Sequence, residues 1–87
     1  MELKILIRLL MEHQLDKYCT IHGFGEGSVC LDLENRNWVV TENVDDIIIN
    51  RQIHLTLKEA CKDVIKRISN DNSILENFES LCEIIRY

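Results

Sequence analysis

The chain has 87 residues, 46% of them hydrophobic and 29% charged, which suits one packed domain over residues 1–87 and leaves no room for a second core. Its net charge of −5 argues against nucleic acid and anionic membrane as partners, since both repel an acidic surface. The composition is globular rather than disordered, and there is no proline, internal repeat or linker.

The excess charge is segregated. Between Cys19 and Asn50 six acids (Glu26, Asp32, Glu34, Glu42, Asp45, Asp46) stand against one base, Arg36, while the other nine acids and nine bases cancel.

The opening run "MELKILIRLLMEHQL" is not a signal peptide, because Lys4, Arg8 and Glu12 interrupt it and no small-residue cleavage site follows. Nothing approaches the ~18 apolar residues that a membrane span needs. The expected location is the cytoplasm, where Cys19, Cys30, Cys61 and Cys82 would be reduced thiols. Lys4, Arg8 and Glu12 fall at i, i+4 spacing on the wet face of a helix, with Leu3, Ile5, Leu6, Ile7, Leu9, Leu10 and Met11 supplying the apolar stretch.

Strand-like runs follow: "KYCTIHGF", "SVCLDLE", "WVVTE", "DIIIN" and "QIHL". Between the first two lies "HGFGEGS", which holds Gly23, Gly25 and Gly27, the only glycines. A phosphate loop would need GxxxxGK[ST], or GxGxxG leading into a helix. Here the spacing is G-x-G-x-G, it leads into a strand, and its charge is Glu26. The segment reads as a hairpin loop whose glycines supply positive φ and which displays Phe24.

In "VCLDLE" the residues Val29, Leu31 and Leu33 alternate with Cys30, Asp32 and Glu34, the period of a half-buried strand. A turn with an even number of residues at "NRN" pairs Leu33 with Trp38 and Leu31 with Val40; an odd one would set Glu34 against Trp38. The even turn is expected. Asp32 and Glu34 then project together from the solvent face, on the side of Thr20 or His22, and Trp38 belongs to the core.

The last third is helical. "TLKEA" is a capping box with Thr56 and Glu59, flanked by Leu55 and Ala60 at the positions of a hydrophobic staple. Leu57, Ala60, Cys61, Val64, Ile65 and Ile68 form one stripe, and Lys58, Lys62, Lys66 and Arg67 the other face. After "SNDN", Ser73 with Glu76 opens another helix, whose stripe is Ile74, Leu75, Phe78, Leu81, Cys82 and Ile85. The expected fold is a small α+β domain. It has an N-terminal helix, a three- to four-stranded antiparallel meander, and two C-terminal helices packed on one sheet face.

Metal and catalytic chemistry find little support. No two cysteines have the close spacing of a zinc site, and Cys61 and Cys82 fall on apolar stripes. Cys30 faces outward with His22 as its one candidate base. No catalytic residue, metal ligand or cofactor is assigned, and the expectation is a protein that is not an enzyme. An exposed Phe24 beside Glu26, backed by a sheet face of carboxylates, has instead the pattern of a protein-binding patch.

At "VCLDLENRNWVVTEN" and "HLTLKEACKDVIKRI" the chain resembles small immunity proteins of bacterial polymorphic-toxin and contact-dependent growth-inhibition systems. The positions that carry the resemblance are Cys30, Glu34, Asn35, Trp38, Glu42, Glu59, Ala60 and Cys61. It implies binding to a cognate toxin domain, often a nuclease, and neither catalysis nor a cofactor. A nuclease that grips phosphates is basic, and the segregated acid of residues 19–50 suits such a partner. On this reading the partner-binding residues are Phe24, Glu26, Asp32, Glu34, Glu42, Asp45 and Asp46. The alternatives are a small acidic regulatory or adaptor protein with another basic partner, and a small enzyme or metal-dependent subunit. "DIIIN" is an edge-strand candidate, available to a second copy in a homodimer or to the partner.

Overall fold

A computed structural model describes residues 2–85, with the side chain of Ile85 outside the description. Helix α1 spans Glu2–Glu12 and is followed by a single 3-10 turn at Asp16–Tyr18. Four strands come next: β1 (Cys19–Ile21), β2 (Val29–Glu34), β3 (Asn37–Val44) and β4 (Ile47–His54). Helices α2 (Leu57–Ile68) and α3 (Asn72–Ile85) complete a small α+β domain.

The sheet order is β1-β2-β3-β4, and it is mixed rather than the antiparallel meander expected: β1 runs parallel to β2, pairing Cys19 with Val29 and Ile21 with Leu31. Parallel neighbours usually need a crossover of a dozen or more residues. Here residues 22–28 suffice because the chain reverses twice. His22 and Gly23, with φ of 51° and 80°, make a two-residue type I′ turn. Phe24 and Ile21 then exchange two backbone hydrogen bonds of 2.9 Å. From Phe24 the chain returns along β1 to enter β2. A Cβ at Gly27 would overlap the Cys19 amide nitrogen and the Tyr18 carbonyl carbon, and one at Gly25 would lie 2.7 Å from the Cys19 carbonyl oxygen. The Thr20 hydroxyl donates to the Gly27 carbonyl at 2.7 Å and closes the loop against β1.

The β2–β3 register is the one the even turn requires, Leu33 opposite Trp38 and Leu31 opposite Val40. Asn35 and Arg36 (φ 50° and 70°) form the two-residue turn, and Asp45 and Asp46 (φ 51° and 65°) repeat it between β3 and β4. "DIIIN" and "QIHL" are two halves of one strand. Asn50, at φ 52°, makes a bulge, so that Val40 pairs with Gln52 but Glu42 with Ile49.

Helix α2 lies against β2, β3 and β4, while α3 packs chiefly on α1 and α2 rather than joining α2 on the sheet. Leu6, Leu10, Leu31, Val40, Cys61, Val64, Ile65 and Phe78 are the most deeply buried side chains of one continuous core, with Trp38 packed at its margin. The α2 stripe is as expected. On the α3 stripe Ile74, Phe78 and Cys82 are buried, but Leu81 is 37% exposed, and Ile85 lies outside the described side chains.

The Thr56 hydroxyl accepts the Glu59 amide at 3.2 Å, the first half of the expected capping box. Leu55, 87% exposed, makes no staple with buried Ala60. α3 is capped by Asp71 rather than Ser73: its Oδ1 accepts both the Ser73 amide (2.9 Å) and the Ser73 hydroxyl (2.7 Å). These two hydrogen bonds hold the Asp71 carboxyl below its usual range, the hydroxyl contributing most.

The contrast between two glycines tests the account of the β1–β2 connection. Gly27→Ala must push two backbone segments apart and should cost at least about 3 kcal/mol. Gly23→Ala meets no atom within 4 Å and should cost only about 1–2 kcal/mol for its left-handed backbone. Urea unfolding of the two variants checks the order.

Candidate interaction surface

The outer face of the sheet, away from the helices, carries Thr20, Cys30, Asp32 and Glu34, which alternate with buried Cys19, Val29 and Leu31. Asp32 and Glu34 therefore project together, as expected. They differ in electrostatic state. The Arg51 guanidinium donates to Glu34 at 2.8 Å across β3, whereas Asp32 has no ion pair among the described residues.

Glu42 belongs to the opposite face. It accepts Arg67 Nη1 at 3.1 Å and Asn50 Nδ2 at 3.0 Å, both on Oε2. Arg67 Nε also donates to Asp63 Oδ1 at 2.9 Å, and Asp63 Oδ2 lies 2.8 Å from His54 Nε2. A half-buried chain of polar groups thus runs Asn50–Glu42–Arg67–Asp63–His54 and ties the bulged hairpin to α2. Arg67 leaves the wet face of α2 to join it, contrary to the simple amphipathic division. A charge-assisted contact of this kind contributes about 1–3 kcal/mol.

Asp45 and Asp46 are exposed in the β3–β4 turn, six and seven residues along the chain from Val39, the partner of Asp32. At about 3.3 Å per strand residue they stand roughly 20 Å from Asp32. These five acids are thus three separate groups, not one surface.

Phe24 is 83% exposed and lies beyond β1, at the sheet edge opposite β4. It walls an open groove of about 510 Å³ with Leu3, Ile7 and Met11 of α1 and Ile21 of β1, while Asp16 and His22 supply the polar margin. Asp16 and Glu26 have no ion pair among the described residues. Sequence reasoning singled out Phe24 but not this groove. Its signal was present: Ile7 and Met11 widen the apolar arc of α1 beyond what one packed face needs, and both are exposed.

His22 and Cys30 do not meet. The left-handed backbone of His22 turns its ring edge-on to Trp38, centroids 5.7 Å apart, while the Cys30 thiol donates to the Ser28 carbonyl at 3.7 Å on the outer face. Burial pushes the Cys19 and Cys61 thiols up to about 12 and raises Cys30 to a smaller degree. Among the described residues no three His, Cys, Asp or Glu side chains gather as metal ligands, and no helix is long and apolar enough to cross a membrane.

Comparison with protein-family profiles, with curated protein sequences and with solved structures gives no match to this chain.

Two outcomes follow from these side chains. Arg67→Met strands two acids and should lower stability by about 1–2 kcal/mol in urea unfolding. The buried thiols stay protonated above the 9.0 at which unfolded cysteine ionises. Their contribution to stability is therefore complete below pH 9 and falls as pH rises from there to about 12. Urea midpoints across the alkaline range should show this decline, and Cys61→Ala should make it shallower.

Proposed function

We propose that this protein acts in the cytoplasm as an immunity protein, binding a basic toxin domain, of nuclease type, and neutralising it without catalysis. The observation that carries the reading is the pairing of an apolar groove with carboxylates that lack an internal cation. The groove walled by Phe24, Ile7 and Met11 has Asp16 at its margin, Glu26 follows Phe24 by two residues in the same loop, and Asp32 projects from the outer face of the sheet. Such a site suits the side chains of a basic surface. The aliphatic stem of a lysine or arginine lies along apolar walls while its charged head meets a carboxylate.

Unpaired surface acids also steer a cationic partner and raise association by one to three decades at low salt. Phe24, Glu26 and Asp32 form the centre of the proposed interface. Glu34 takes part by releasing Arg51. Glu42, held by Arg67 and Asn50, is structural on this reading, and Asp45 and Asp46 stand apart from it.

The test is affinity capture with the intact protein from the cells that make it, followed by assay of the captured protein for toxicity and nuclease activity. Glu26→Lys with Asp32→Lys should slow association at low salt roughly tenfold or more, and Phe24→Ala should weaken binding by about 1–2 kcal/mol. A captured basic partner without toxicity supports the adaptor reading instead. Unchanged affinity in both variants removes the interface assignment.

A further inference from the structure

The edge of the sheet opposite Phe24 is β4, eight residues long, with one side unpaired. Natural edges are blunted by proline, by lysine, by shortness or by a cover. β4 has no proline, no lysine and, among the described residues, no cover; its devices are the bulge at Asn50 and the charge of Arg51 beside it. Its apolar side chains are open to solvent, Ile47 at 63%, Ile48 at 66% and Ile49 at 40%. β2 ends opposite Glu42; the Ser28 carbonyl still accepts the Asn43 amide at 2.8 Å, but among the described residues no third strand flanks the two-stranded ribbon of Asn43–Val44 and Ile47–Ile48. Isolated ribbons of this kind are marginal in water.

We infer that this edge pairs with β4 of a second copy of the chain, antiparallel and with Ile48 on the two-fold axis. This register sets Ile48 against Ile48 of the other copy and Ile47 against Ile49. It also brings the acidic turn of one copy, Asp45 and Asp46, beside Asn50 and Arg51 of the other. The acidic turn of one copy therefore faces the only base of the other copy's strand, twice over, and each apolar residue meets another. Cross-strand pairs of both kinds are favourable.

Other registers lose these matches. Centring on Arg51 opposes two guanidinium groups, and centring on Asn50 places two left-handed bulges face to face. Because the bulge reverses side-chain parity, the Asn50 register would also set Ile47, on the helix side, against Ile53, on the outer side. Over Ile47–Ile49 the Ile48 register stays on the turn side of the bulge and keeps both faces consistent. It brings to Asp45 and Asp46 a cation, Arg51, which within the single chain bonds Glu34 at 2.8 Å.

The dimer does not depend on the proposed toxin binding, which centres on the opposite edge; Arg51, the partner of Glu34, is common to both. It predicts that the intact protein sediments as a concentration-dependent dimer. Ile48→Lys should be monomeric with an unchanged circular dichroism spectrum, since Ile48 is outside the core. Asp45→Arg, a substitution in an exposed turn, should weaken the dimer about tenfold by placing a base beside Arg51 of the other copy.

Register is read separately by mild oxidation. Ile48→Cys should give a covalent dimer, because directly opposed strand residues lie within reach of a disulfide, whereas Ile53→Cys and the parent chain should not. A wild-type protein that stays monomeric at every concentration overturns the inference. So does a dimer unaffected by Ile48→Lys, or equal cross-linking through Cys at 48 and at 53.

Discussion

Gly27 lies against the backbone of Tyr18 and Cys19 with no space for a methyl group, and the position of β1 follows from that contact. The returning segment 24–27 hugs β1 closely enough for β2 to enter alongside it in the same direction. This parallel pairing places Ile21 over the core and turns Phe24 outward beyond the strand, so that it faces α1 across an open groove. Any side chain at 27 would widen the loop and dissolve the groove wall. The glycine cluster thus acts through close approach as well as through positive φ, and only Gly23 and Gly25 use the latter.

The second organising feature is Arg67. A helix residue whose neighbours face solvent bends to the sheet and meets Glu42 from β3 and Asp63 from its own helix. The pairs are partly hydrated, so their net energy is modest. Their geometric effect is larger. They fix Glu42 where Asn50 can bond to it, at the point where the β3–β4 register shifts. Core packing holds α2 on the sheet, and the polar chain sets how the hairpin leaves it.

Much of this was legible from residue order. Local rules located all three helices, the Thr56 cap and the β2–β3 register, because periodicity and turn length act within a few residues. The direction of β1 was not legible, since three spaced glycines permit a simple hairpin and a doubled-back loop equally well. For the same reason six acids in one stretch of chain looked like one surface. The pairing of Glu42 with Arg67 spans 25 residues, and strand alternation sends Glu42 and Asp32 to opposite faces. The cap of α3 was misplaced by two residues because Asp71 and Ser73 are both good caps, and only geometry separates them.

The strand pair at Val29 and Glu42 divides the sheet into parts of unequal cooperativity. On one side the strands carry the buried residues Cys19, Val29, Leu31 and Val40, and their amides should open to exchange only with global unfolding. On the other, the ribbon that ends at Asp45–Asp46 has no buried side chain to hold it closed. In a lone chain that ribbon is a separate unit of low opening free energy, able to fray and reform while the rest stays folded. One small domain thus contains a rigid body and a labile extension, joined at a single register shift.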